Sequence, residues 1–157
     1  MNQKQNTKNL KLAFIAAFIS LQTFSFAQDR KGIVGIWWDQ DQRSRIEVAE
    51  ENGKFYGTIV WIKKDSNEDG ISPPTDIHNP DKKLRTRRNL NLRILTDLEW
   101  DGESKEWKNG NIYDPDSGKT YSCFAQLQKD GKLYFKGYVM GMRLLGKSTL
   151  WSRYENK

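Results

Sequence analysis

Fourteen residues, Lys108 to Tyr121 (KNGNIYDPDSGKTY), carry two turn signals, Asn109-Gly110 and Asp114-Pro115-Asp116-Ser117-Gly118. A short strand ending in Ile112 and Tyr113 lies between them. Asn and Asp hydrogen-bond their own backbone, Pro presets φ at the second residue of a turn, and Gly accepts positive φ. A compact antiparallel β protein follows. The same punctuation recurs at Asn52-Gly53, Asp69-Gly70, Asp101-Gly102 and Asp130-Gly131. Between these dipeptides run alternating stretches rich in β-branched and aromatic residues, with no helical period. Strands are predicted near 33–39, 43–50, 54–63, 91–100, 105–113, 119–128, 132–140 and 143–154. Asn109-Gly110 either ends one short strand or bulges it.

Face parity sets the pairing at two hairpins. Around Asp130-Gly131, a two-residue loop would put the apolar sets Tyr121/Cys123/Ala125/Leu127 and Leu133/Phe135/Gly137/Val139 on opposite sides of the sheet. A three-residue loop, Lys129 to Gly131 with Gly131 left-handed, pairs Leu127 with Leu133 and Cys123 with Gly137, keeping both sets together. Cys123 then points into the core as a small hydrophobe. A four-residue loop, Pro115 to Gly118, likewise pairs Asp114 with Lys119 and Ile112 with Tyr121. That gives IYDPDSGKTY a complete structural explanation without a ligand.

The amino terminus reads as an export signal. Lys4, Lys8 and Lys11 precede an apolar run from Leu12 to Phe26, and Ser25-Phe26-Ala27 has the small-x-small cleavage pattern. The run is about 15 residues long and broken by Ser20, Gln22 and Thr23, short of the ~20 that a spanning helix needs. A lipid anchor would need a Cys after the cut; Gln28 stands there, so a soluble, exported product is expected, periplasmic or secreted. Residues 28–157 amount to one domain. The formal charge of +6 includes the three signal lysines, leaving +3, which does not call for nucleic acid. With Cys123 the single cysteine, no internal disulfide forms, and stability must come from a packed core.

One connection, 64–90, breaks the hairpin rhythm. It carries Pro73, Pro74 and Pro80 and is far longer than a hairpin loop of about 2–5 residues, the kind of segment that often holds binding residues on a rigid barrel. Asp65-Ser66-Asn67-Glu68-Asp69-Gly70 fits the opening of a calcium loop, with Asp76 at the twelfth position. Asp76 replaces the usual Glu and Pro73-Pro74 forbids the exit helix, so a helix-free calcium loop and a solvated acidic turn both fit. His78, the single histidine, reads as exposed or capping, and Asp114 with Asp116 reads as turn-forming more readily than as an acid/base pair. The basic run Lys82 to Arg88 is either a solvated flank or an anion contact at a barrel mouth. Arg85 stands out in it, at a spacing from Asn79-Pro80-Asp81 that lets Asp81 orient it toward an anion or clasp it as a purely structural feature of the loop.

Three ordered groups resemble a bacterial family of exported proteins, the domain-of-unknown-function family 2147. They are Asp76-x-x-Asn79-Pro80-Asp81 with Arg85; Gly110-x-Ile112-Tyr113-Asp114-Pro115-x-x-Gly118-Lys119-x-Tyr121; and Gly137-Tyr138, Leu145-Gly146 and Trp151-x-Arg153. The resemblance implies a lipocalin-like barrel and brings no reaction or ligand. The chain departs from the family pattern at Arg88-Asn89-Leu90-Asn91-Leu92, where a proline-and-glycine run is usual, and at Gly146-Lys147-Ser148-Thr149. A looser likeness to calycins lies in Gly35-Ile36-Trp37 with Arg153: there, an arginine of the last strand stacks on the tryptophan and closes the barrel floor.

The expected fold is all-β, an eight-stranded antiparallel up-and-down barrel, and a monomer. The expected function is non-catalytic binding of a small apolar or amphipathic ligand inside the barrel, without a cofactor, since no constellation assembles a nucleophile and base. Asn79, Asp81 and Arg85 would gate or orient the ligand, and Tyr113 and Tyr121 would add polar contacts at the rim. The alternative is a filled barrel that meets a protein or an anionic surface of the cell envelope. A cavity of ~300 Å³ or more separates the two. Amino-terminal sequencing of the exported protein is expected to begin at Gln28; a start at Met1 would contradict the export reading.

Overall fold

The computed structural model describes residues 30–63 and 74–156. The predicted signal segment, and the Asp65–Gly70 stretch considered for calcium, lie outside the described residues. The barrel lies in the compact unit Ile33–Lys157. Its strands are β1 (Gly35–Trp38), β2 (Ser44–Glu51), β3 (Lys54–Ile62), β4 (Arg93–Asp101), β5 (Glu106–Asp114), β6 (Lys119–Leu127), β7 (Leu133–Tyr138) and β8 (Gly146–Arg153). Each strand pairs antiparallel with the next, and β8 returns to β1, closing the sheet. All eight predicted strands are present. Alternation is the reason: in β3, Phe55, Gly57 and Ile59 are buried while Tyr56, Thr58 and Val60 are not.

The predicted registers hold. Leu127 faces Leu133 and Cys123 faces Gly137, across a loop in which Gly131 takes φ 80°. Asp114 faces Lys119 and Ile112 faces Tyr121. The carboxylate of Asp114, however, turns into its own loop, accepting from Asp116 N and Ser117 Oγ. Asn109-Gly110 bulges β5 rather than ending it: the register shifts between Trp107 and Gly110, and Asn109 takes φ 63°. Gly110 is required there because a Cβ would lie 2.6 Å from Leu98 Cγ and 2.7 Å from the Thr96 carbonyl. Cys123 is fully buried, and burial pushes its thiol up to about 12.

Closure rests on a short seam. Trp37 pairs with Arg153 and Trp38 with Ser152, and Tyr154 N donates to the Ile36 carbonyl at 2.9 Å. The Arg153 guanidinium lies 4.2 Å from the Trp37 ring centroid and donates to the Val34 carbonyl at 3.1 Å. Trp37 Nε1, inside, donates to the Ile33 carbonyl at 2.8 Å. Outside, the Arg45 guanidinium stands 4.3 to 4.9 Å from the rings of Tyr154, Trp61 and Trp38, bracing β1 and β2 against the end of the chain.

Up-and-down order sends loops alternately to two ends. Connections 39–43, 63–92, 114–119 and 138–146 share one end, and the turns after β2, β4 and β6 share the other. Trp37, Phe55, Leu95, Leu98, Trp107 and Leu133 fill the interior away from the first end. Gly57 makes room for one of them: its Cβ would lie 2.7 Å from Leu95 Cδ1.

Gly35 has φ 132°, and a Cβ on it would sit 2.6 Å from Arg153 Nη1. Gly35→Ala is therefore expected to lower unfolding stability in urea by about 1–3 kcal/mol through backbone strain and displacement of the arginine. Gly102→Ala, whose Cβ meets nothing nearer than 3.6 Å, should change it by less than about 0.5 kcal/mol.

Candidate functional site

The described part of the long connection is ordered by one buried carboxylate. Asp76 is 0% exposed. Its Oδ1 accepts from the Tyr113 hydroxyl at 2.5 Å. Its Oδ2 accepts from Asn79 Nδ2 at 2.7 Å and from the Arg87 guanidinium, at 2.8 Å from Nε and 2.7 Å from a terminal nitrogen. A buried carboxylate is tolerable only with such a set of donors. Backbone bonds complete the knot: Asp76 N donates to the Arg87 carbonyl, and Thr75 bridges Arg88 antiparallel. Both oxygens of Asp76, the residue at the twelfth position of the calcium-loop pattern, are engaged inside this knot.

The knot docks the connection onto the β5–β6 turn. Asn79 Nδ2 also lies 3.0 Å from the Tyr113 hydroxyl. Gly118, at φ 67°, lies under the His78 carbonyl, which a Cβ would meet at 1.9 Å. The glycine of the DPDSG turn thus answers two demands, a left-handed turn residue and a close backbone approach. Of His78 the carbonyl is what matters here; its side chain is exposed.

Asn79, Asp81 and Arg85 gather in this knot and do not line the barrel interior. Asp81 caps the 3-10 turn Lys82–Leu84 through Lys83 N. Arg85 Nε donates to the Asn79 carbonyl at 2.8 Å, so Asn79, not Asp81, orients it. These three were expected to touch a ligand; the structure gives them the work of shaping a loop. Tyr113 and Tyr121 do reach the interior.

The interior holds a cavity of about 450 Å³ at the loop-rich end. Ile46, Ile59, Ile62, Ile94 and Ile112 line its walls, and Phe135 and Trp151, with ring centroids 4.3 Å apart, lie among its lining below. Branched aliphatics and Gly137 leave open what tryptophans and leucines fill further down. The rim carries Asp39, Asp41, Arg43, Asp114, Asp116 and Lys147. Asp39 is engaged in its own turn, accepting from Arg43 N, Ser44 N and Ser44 Oγ. Asp116 faces Arg43 at 3.9 Å. From the long connection the cavity receives Pro74 and Asn89, the residues flanking the knot, joined by a bond from Asn89 N to the Pro74 carbonyl. Asn89 is 9% exposed, and its side-chain Oδ1 is buried without a hydrogen-bond partner among the described residues. Sequence reasoning had noted Asn89 only as a departure from a family pattern. Nothing in the sequence says that this asparagine faces a cavity, because the connection has no strand parity to place it.

Strand number, meander order and a tryptophan-capped interior define a lipocalin-like barrel. The family model described as an uncharacterized protein conserved in bacteria, DUF2147, matches residues 35–153; the chain belongs to that family. Among solved structures, it is similar to a protein from the human pathogen Helicobacter pylori described as belonging to the lipocalin family. The identity is 30%, with 79% of this chain and 84% of that one covered, at a TM-score of 0.66. No curated protein matches the chain.

Burial, with the Asp76 carboxylate beside it, pushes the Tyr113 phenol up from 10.0 to about 12. The folded state then holds that proton more tightly than the unfolded chain. Its contribution is fully present below pH 10 and is lost as pH rises toward about 12. Tyr113→Phe is expected to flatten this alkaline decline. At neutral pH it should cost about 1–3 kcal/mol, since Asp76 Oδ1 loses its partner. Arg87→Met, which strips the cation from a buried carboxylate, is expected to cost more, about 3–5 kcal/mol. Urea unfolding across pH reads both.

Proposed function

We propose that this protein is an exported, non-catalytic binding module for a small amphipathic molecule. The apolar part of the ligand lies against the isoleucine walls, and a hydrogen-bond donor on it is taken by the Asn89 side chain, whose covered Oδ1 turns to meet it. The observation that carries this reading is the pairing of an apolar cavity of about 450 Å³ with a buried acceptor that no described group satisfies. That volume is in the range of small-molecule pockets, about 300–1,000 Å³, which combine apolar walls with a few placed polar groups. An unsatisfied buried acceptor costs about 1–3 kcal/mol, which a ligand donor relieves. Membership in a lipocalin-like family supports the same reading.

The groups that a catalytic reading would draw on are occupied otherwise. Cys123 is sealed in the core with a raised pKa, Asp114 holds its turn, and the His78 side chain is exposed. The filled-barrel alternative is disfavoured by the open volume.

Trp151 lines the cavity, so intrinsic fluorescence reports entry. A long-chain alcohol or amine is expected to give a saturable change in emission. Asn89→Ala should weaken that binding about five- to tenfold, the effect of one hydrogen bond, and leave a donor-free hydrocarbon probe unaffected. Ile59→Trp, which fills the cavity, should abolish both. A flat response across alcohols, amines, acids and hydrocarbons would remove the proposal.

A further inference from the structure

The most exposed apolar residues of the barrel are gathered in one loop. Between β7 and β8, Met140 is 85% exposed, Leu144 92% and Leu145 54%, with Val139 and Met142 also exposed. The loop is built, not slack. Met140 and Gly141 take positive φ, Met142 N donates to the Val139 carbonyl, and Leu145 N to that of Met142. Arg143 fastens it to the barrel wall, with its guanidinium 3.6 Å from the Phe124 ring centroid and 2.7 Å from a Glu106 oxygen. That tie occupies the polar residue of the loop and leaves the aliphatic ones in water.

The wall beside the loop continues the pattern. Phe124 neighbours Tyr134 and Tyr138, with centroids 6.1 and 6.4 Å apart, and exposed Leu150 pairs with Tyr134 across β7 and β8. Two lysines stand near the loop on adjacent strands, Lys136 opposite Ser148 and Lys147 opposite Gly137, whereas Lys132 pairs with Asp130, Arg143 with Glu106, and Arg153 lies on Trp37 at the far end of β8. A fixed aliphatic tip, a tyrosine-rich flank and the lysines at 136 and 147 match the boundary of a bilayer. Its acyl region takes aliphatic chains, its headgroup level takes tyrosine, and its anionic lipids attract lysine and arginine.

We infer that the β7–β8 hairpin docks on a lipid surface containing anionic phospholipid, with Met140, Leu144 and Leu145 entering the acyl boundary. The hairpin springs from the same end of the barrel as the cavity mouth, so docking brings the mouth close to the membrane. The docking surface stands on its own observations and survives if the cavity binds nothing.

The test uses the full chain with one environment-sensitive dye on Leu144→Cys or, as reference, on Ala49→Cys. Ala49 is exposed on β2, across the barrel from β6, and native Cys123 is buried out of reach. With vesicles containing phosphatidylglycerol, the dye at position 144 is expected to shift to shorter wavelength and the dye at 49 to stay unchanged. Lys136→Gln should lower the partition about fivefold, the effect of one basic residue near an anionic surface. No shift at 144, or equal shifts at both positions, overturns the inference. So does a shift at 144 that grows with protein concentration in the absence of vesicles, which would mean that a second copy covers the face. An equal shift with phosphatidylcholine alone overturns the anionic assignment.

Discussion

Everything in this molecule depends on joining the first strand to the last. A sheet of eight strands left open would expose two edges of unpaired backbone, and closure removes both. Here the joint has only two paired positions, Trp37 with Arg153 and Trp38 with Ser152. Cation–aromatic contacts reinforce it on both faces: Arg153 on Trp37, and Arg45 among Trp38, Trp61 and Tyr154. Once Trp37 is committed to the interior, the two-residue period of each strand assigns inside and outside to every other position. The seam is therefore what turns eight amphipathic strands into a container.

A container needs one end shut and the other accessible. The interior is shut by size, with Trp37, Trp107, Phe55 and several leucines packed together, and glycines at 57 and 110 yielding space to Leu95 and Leu98. The accessible end is shaped by charge. Asp76, buried with Tyr113, Asn79 and Arg87 around it, pins the long connection to the β5–β6 turn. Its flanks, Pro74 and Asn89, are thereby delivered to the cavity wall. A buried ion pair of this kind contributes little net stability, and its value lies in fixing one loop conformation. The family motif residues Asn79, Asp81, Arg85 and Gly118 serve that knot. Their pattern reflects how the mouth is built more than what enters it.

Much was legible before any coordinates. Turn dipeptides bounded the strands, and alternation chose between rival registers at Asp114/Lys119 and Leu127/Leu133, because a one-residue slip would have turned the apolar face outward. Trp37 and Arg153 were recognisable as a closing pair. The ligand-facing residues were harder. Tyr121 lies on the face of Cys123 and Ala125 and could be placed by parity, and it lines the cavity. Tyr113, beside Ile112, falls on the other face by that count, yet it too is among the cavity lining, at the end of β5. Asn79, Asp81 and Arg85 lie in an irregular segment, where spacing fixes neither direction nor partner. They turned out to bond their own loop. Asn89, two residues beyond Arg87, gave no warning of its position.

The amino-acid order by itself determined the strand count, the hairpin registers and the buried cysteine. These follow from local turn chemistry and a fixed period of two, both of which operate over a few residues; the closing pair was legible only through the likeness to calycins. Only the tertiary structure decided that the barrel is hollow at one end, that Asp76 organises the connection, and that the aliphatic residues of 139–145 stay in water. Volume left unfilled, donors converging on a carboxylate and solvent exposure are sums over residues far apart in sequence. They acquire values only when the chain has closed on itself.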